Sequence, residues 1–220
     1  MFRIFLIKLT LVISINLSGQ VQVRDEPRHH NVFENEFLRI LDVYLEPGDT
    51  TLYHLHNTPS IFIILSNSEV ESQLMGGQPA KGANLIGTIS YDPLTTPRIH
   101  RVWNIDTSWF HVMDVELLSK KQNKKTEVIK ENIFQLLFEA EYANGYKFSL
   151  DAGKKINIPK SANGYLLISL GKAEIELKEK GVASHRGLKA GHYKLIDAES
   201  TLLIENSGNS NTDFCLFQLR

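Results

Sequence analysis

The feature that most limits what this chain can fold into is that its second half repeats the order and spacing of its first. Leu45-Glu-Pro-Gly48 recurs as Leu150-Asp-Ala-Gly153, and Ile61-Phe-Ile-Ile-Leu65 as Leu166-Leu-Ile-Ser-Leu170. Gly87 then corresponds to Gly191 and Asn104 to Asn206. The match is weak residue by residue, but the order holds across most of each half. A chain of 220 residues has room for two ordinary domains. The repeat predicts two of one kind, over residues 28–118 and 130–220. Between them, residues 119–129 include Ser119-Lys-Lys-Gln-Asn-Lys-Lys-Thr-Glu127, which lacks any large apolar side chain and reads as a linker or exposed loop.

Each unit reads as β. Phe37–Leu45 is rich in β-branched and aromatic residues and stops at the turn signal Glu46-Pro47-Gly48. Ile61–Leu65 is a continuous apolar run, as expected of a strand buried on both faces. Phe110–Leu117, Tyr165–Leu170, Ala173–Leu177 and Thr201–Ile204 continue the pattern. Short strands between regular turns indicate sandwiches or barrels, so the fold class is all-β. The one stretch that reads as either helix or strand is Lys130–Tyr142.

The N-terminus has the layout of a secretory signal peptide over residues 1–19. Arg3 and Lys8 supply charge, Leu9–Leu17 is apolar, Ser18-Gly19 supplies small residues, and a polar stretch follows. The apolar run is shorter than the roughly 20 residues that span a bilayer. A lipidated Cys would be needed for an anchor, and Gln20 stands in its place. The expectation is an exported protein, periplasmic or secreted, with no membrane anchor in its mature form. A formal net charge of -1 gives no reason to expect a nucleic-acid partner. The single cysteine, Cys215, can make neither an internal disulfide nor a Cys-based zinc site, so metal chemistry would rest on His and carboxylates.

Such chemistry is concentrated in the first unit. His54-Leu55-His56 lies in an extended segment, where residues two apart share a face, so both imidazoles can reach one ion. Imidazole nitrogen suits several first-row divalent metals. Taken alone, His-x-His is also compatible with chance in a chain that has eight His.

These residues resemble the cupin superfamily. Its first motif runs Gly, five residues, His-x-His, a short spacer and Glu, and here Gly48 precedes His54-Leu-His56 at that spacing. Its second motif runs Gly, five residues, Pro-x-Gly, a spacer, His, three residues and Asn. Here Gly87 and Pro93 are followed by His100-Arg-Val-Trp-Asn104. The resemblance implies two tandem double-stranded β-helix (jelly-roll) barrels, with a divalent metal held in the first by His54, His56 and His100. It leaves Fe, Mn, Zn and Ni undistinguished. The family's Glu should fall near Ser60 or Ile61, where there is no carboxylate, and Thr95 replaces the second motif's Gly. An ion bound by three neutral imidazoles keeps its full charge and has open positions for water or an anion. In the second unit the matching positions are Pro159, Ser161 and Leu202, so that barrel should be degenerate and metal-free.

Strand geometry adds Ser60, Gln73, Tyr91 and Asp92 as residues expected to line a substrate pocket, with Asp92 the nearest candidate base. Arg98 and Arg101 flank His100, and Arg101 alternates away from it. His29-His30 resembles a flexible polar arm, and His111 reads as core packing. The expected partner is a small-molecule ligand, and a homodimer is possible. Two functional classes follow: a metal-dependent oxygenase or isomerase, or a noncatalytic binding or interaction protein with a vestigial metal site.

Overall fold

A computed structural model describes residues 20–120 and 126–220. The segment read as a signal peptide lies outside the described residues, as do residues 121–125 of the expected linker.

The first half contributes β1 (Val21–Gln22), β2 (His29–Glu34), β3 (Leu38–Leu45), β4 (His54–His56), β5 (Ser60–Ile64), β6 (Ser68–Leu74), β7 (Ala80–Asn84), β8 (Ile89–Asp92), β9 (Arg98–Asn104) and β10 (Phe110–Leu117). They form two five-stranded sheets, ordered β1-β4-β9-β6-β7 and β2-β3-β10-β5-β8. The second half contributes β11 (Gln135–Glu139), β12 (Ala143–Leu150), β13 (Lys155–Ile158), β14 (Tyr165–Ser169), β15 (Ala173–Glu179), β16 (Val182–Leu188), β17 (Tyr193–Ile196), β18 (Leu202–Asn206) and β19 (Thr212–Leu219). Its sheets run β11-β12-β19-β14-β17 and β13-β18-β15-β16. The ambiguous stretch after Lys130 is therefore strand where it is regular. Among the described residues, β1 already lies ahead of residue 28, and the chain just before β11 is not simply solvated. Ile129 is buried, and its N–H donates to Tyr146 Oη at 3.0 Å.

The repeat recurs in the hydrogen bonds. The Gly48 N–H donates to the Asn104 carbonyl at 3.0 Å and the Gly153 N–H to that of Asn206 at 2.8 Å. Asn104 Nδ2 donates to the Leu45 and Ser108 carbonyls, and Asn206 Nδ2 to those of Leu150 and Ser210. Both glycines sit at positive φ, +81° and +72°, which an L side chain rarely adopts. Each Asn thus ties a turn to the start of the closing strand and uses amide protons that burial would otherwise orphan.

The apolar interior falls into three parts. Phe134, Phe148, Phe214, Tyr146 and their neighbours fill the second half. A smaller cluster, including Val43, Leu45, Phe110 and Val112, lies inside the first. The third joins the halves: Leu38, Ile40, Ile61, Ile63, Met113 and Val115 pack on Leu166, Ile168, Cys215, Phe217 and Leu219. The β3-β10-β5 and β12-β19-β14 strands are thus covered on both faces, which is why Ile61–Leu65 and Leu166–Leu170 read as continuous apolar runs.

Candidate metal centre

β4 is a three-residue strand between β1, which it pairs in parallel, and β9, which it pairs antiparallel. His54 and His56 point to the interior, and the register places His100 directly opposite His54. Three imidazoles therefore share one inner face by strand geometry alone. One ligand nitrogen from each lies within 4.8 Å of the others, and His56 Nε2 and His100 Nε2 are 3.0 Å apart. That separation suits neighbouring ligands of an octahedral ion with bonds of about 2.1 Å. His54 Nδ1 is 2.9 Å from the Leu52 carbonyl, which assigns the proton to Nδ1 and leaves Nε2 as the free donor atom.

Burial, together with the charges on neighbouring groups, pushes His54 down to about 4, His56 to about 2 and His100 to about 3. All three are neutral at pH 7 and offer lone pairs. The residues present fit a divalent ion held by three imidazoles.

Behind His56 lies Asp114, whose Oδ2 is 3.7 Å from His56 Nδ1. Burial first, and then the Glu116 carboxylate, push Asp114 up to about 8. Neither Asp114 oxygen, nor His56 Nδ1, nor Ser60 Oγ has a hydrogen-bond partner among the described residues. This is a concentration of unpaired buried polar atoms beside a ligand, where a carboxylate can orient the ring. The sequence held a signal for it. Along β10 the inward positions run Phe110, Val112, Asp114, Glu116, and a carboxylate interrupting that apolar face must be buried.

The imidazoles open on a cavity of about 280 Å³ between the two first-half sheets. Its walls are mostly apolar, including Val43, Leu45, Phe62, Ile64, Val102 and Phe110, with Arg98, Ser90 and His29 as polar members. Among the described residues, the matching interior of the second half is nearly filled. A space lined there by Leu167, Ile175, Leu177 and Phe214 measures about 20 Å³, room for about one water and far less than the first-half cavity. The register also shifts the repeat by one residue at this point. Ile158, not Pro159, stands opposite Leu202 as His54 stands opposite His100.

No family model matches the sequence, and no curated protein matches it. Solved structures do. YhhW from Escherichia coli is 16% identical with a TM-score of 0.59, covering 89% of each chain. A cupin 2 conserved barrel domain protein from Leptotrichia buccalis is 11% identical with a TM-score of 0.55, covering 87% of this chain and 88% of that one. The chain has the cupin fold. Salicylate 1,2-dioxygenase from Pseudoaminobacter salicylatoxidans, solved with gentisate adducts, shares it at 9% identity and a TM-score of 0.58, covering 84% of this chain and 70% of that one.

Within this cupin fold the four expected pocket residues are placed differently from the histidines. Ser60 is buried at an inward position but is not part of the cavity wall. Gln73 faces away from the centre. It pairs with Arg101 on the outer surface, where its Oε1 accepts from Tyr53 Oη at 2.8 Å and from Arg101 Nη2 at 2.8 Å. Arg101 is also held outside by the Tyr53 and Trp103 rings, 5.0 and 5.3 Å from its guanidinium carbon. Tyr91 points between the halves and stacks on Phe138 at 5.3 Å; its neighbour Ser90 is the wall residue. A strand side chain one position off faces the opposite side of the sheet. Asp92 is not free to act as a base, because its Oδ2 is 2.7 Å from Nη1 of the wall residue Arg98.

Of two other histidines, His111 is buried among packed neighbours, as read, and His29 differs from its reading. His111 lies at the junction of the halves, 2.7 Å from Asp42 and stacked on Tyr44. His29 is no flexible arm. It is buried in β2, with its ring centroid 4.7 Å from that of His54 and its Nδ1 2.7 Å from Glu26 Oε2. His30 beside it is exposed.

Proposed function

We propose that the first barrel binds one divalent metal through His54, His56 and His100 and is the centre of a metal-dependent oxygenase acting on a small, mostly apolar anion. The observation that carries the reading is the convergence of three neutral, buried imidazoles on the wall of an apolar cavity of about 280 Å³. A bound ion would supply Lewis acidity and, if redox-active, one-electron chemistry with oxygen. The chain's own groups do the rest. The three rings supply neutral ligands, so the charge of the ion is not cancelled and an anionic ligand is attracted. Val43, Phe62, Ile64 and Phe110 exclude water and pack the apolar part of the ligand. Arg98 carries positive charge on the wall, partly offset by Asp92. The salicylate dioxygenase with its gentisate adducts supports a small organic ligand in such a barrel. Oxygenation is favoured over isomerisation because Asp92, the base that isomerisation would need, is held in an ion pair.

The test is elemental analysis of the full chain after expression with excess iron, manganese, zinc or nickel, followed by an oxygen-uptake screen over small organic acids. The reading expects one metal per chain, its loss in His56→Ala and His100→Ala, and oxygen uptake with at least one acid. Metal and ligand binding without turnover would make the protein a noncatalytic binder. Equal metal in wild type and both variants would refute the centre.

A further inference from the structure

The cavity on which the imidazoles open has a second polar spot, away from them. β7 is the edge strand of the histidine-bearing sheet, and Asn84, its last residue, is part of the cavity wall. Asn84 stands opposite Ser68 of β6, whose buried positions are Ser68 and Val70, so the two side chains share the inner face. Asn84 Nδ2 and Ser68 Oγ are both buried, and neither has a hydrogen-bond partner among the described residues. Buried polar atoms are almost always paired, so two facing orphans beside a cavity mark a place where something else supplies the partner. The strand register separates this spot from the histidines. On β6 it is Leu74 that faces His100 and Ser68 that faces Asn84, with Val70 opposite Asn104 between them. Arg98, the arginine of the wall, stands opposite His56 and belongs to the imidazole end.

We propose that Asn84, with Ser68 beside it, receives a neutral oxygen at the far end of the ligand, so that the cavity selects unbranched ω-hydroxy acids over the same acids without the hydroxyl. This rests on the metal-centre reading above for the carboxylate end and specifies the other end. The charge of the ligand belongs with the ion and Arg98. A second carboxylate at Asn84 would be buried against a neutral amide, away from the wall's arginine, which is costly. A hydroxyl carries no such cost. It both donates and accepts, so it pairs with the amide and with the Ser68 hydroxyl alike. The stretch of β6 from Leu74 to Ser68 covers roughly 20 Å of backbone, part of which the facing side chains take up. The ligand is therefore elongated, and a wall that includes Ile64, Val102 and Val112 suits a chain of methylenes between its two polar ends.

The test titrates the straight-chain ω-hydroxy acids of six, eight and ten carbons, and each parent acid, into the full chain by calorimetry, both zinc-loaded and metal-free. The readout is the ratio of the two affinities at each length, in which the carboxylate end cancels. Wild type should prefer the hydroxy acid at one length or more. Asn84→Leu keeps the size of the side chain and removes the amide. It should lower that preference by about 5-fold, the contribution of one hydrogen bond, at unchanged zinc stoichiometry. Ser68→Ala should lower it in the same direction. A change that only disturbs packing weakens both acids alike, so an unchanged ratio in both variants overturns the proposal. Equal affinity of wild type for both acids at every length also overturns it, the result expected if a water satisfies the two atoms. So does binding of no acid by either form. A wild type that takes up no zinc but keeps the preference in its metal-free form refutes the metal centre and leaves this inference standing.

Discussion

Asp114→Asn should move metal affinity and the stability of the metal-free protein in opposite directions. The wild-type carboxyl is fully buried, its oxygens lack a hydrogen bond of regular geometry although the Ser60 hydroxyl favours the charged form, and one of them faces His56 Nδ1 across 3.7 Å. A carboxylate in that place raises the basicity of a ligand imidazole and fixes its orientation. Losing such a partner typically costs about 10–100-fold in metal affinity, roughly 1.4–2.8 kcal/mol. Without metal, the same group is a liability at high pH. Its folded-state value, about 8, lies above the roughly 3.9 of an unfolded chain. Its stabilisation is therefore full below about pH 4 and is lost as pH rises through about 8. Between pH 7.5 and 9.5, above the range of unfolded-chain imidazoles at about 6.5, wild-type apoprotein should lose more stability than Asp114→Asn, the loss from the buried Cys215 thiol being common to both. At the upper end the variant should be the more stable by on the order of 1–3 kcal/mol, the cost of an unpaired buried polar group. Chelator competition measures the first effect, and urea unfolding of apoprotein at the two pH values measures the second. Metal affinity within twofold of wild type, or a variant less stable at pH 9.5, would refute the argument.

Leu166 is fully buried between the halves, so Leu166→Ala should cost about 2–5 kcal/mol in urea unfolding while metal stoichiometry is retained. An effect below about 1 kcal/mol would mean that the junction is not a packed core. His185 is largely exposed beside Glu176, and His192 lies away from the centre at the edge of the second half. The double change to Ala should leave metal content unchanged, and a fall would place a site in the second barrel. Gly164 has φ of +80°, and a Cβ there would lie 2.2 Å from the Ile196 carbonyl oxygen. Gly164→Ala should therefore lower the urea midpoint by at least about 2 kcal/mol of stability, and an unchanged midpoint would contradict the packing of β14 on β17.

What was legible in the sequence is what local rules control. The paired turns at Gly48 and Gly153 and the His-x-His spacing follow from backbone chemistry within a few residues, and the Asn that ties each turn from far along the chain was marked by the repeat. What was not legible depended on partners far along the chain. His29-His30 looks like a polar arm until β1 is placed beside β4, which only the folded ladder does. Tyr91 and Ser90 differ by one position, and the strand reading had no anchor to say which faced inward. Gln73 could have been excluded, because its partner Arg101 alternates away from His100. Asp114 was overlooked because the missing Glu was sought near Ser60, whereas the carboxylate beside His56 comes from a strand much later in the chain.

X-ray absorption at the metal edge of the loaded protein tests the three-histidine centre most directly. The account predicts a first shell of nitrogen and oxygen with multiple scattering from three imidazoles in wild type and two in His100→Ala, with no sulfur. A wild-type spectrum with no imidazole signature, or one that His100→Ala leaves unchanged, would contradict it.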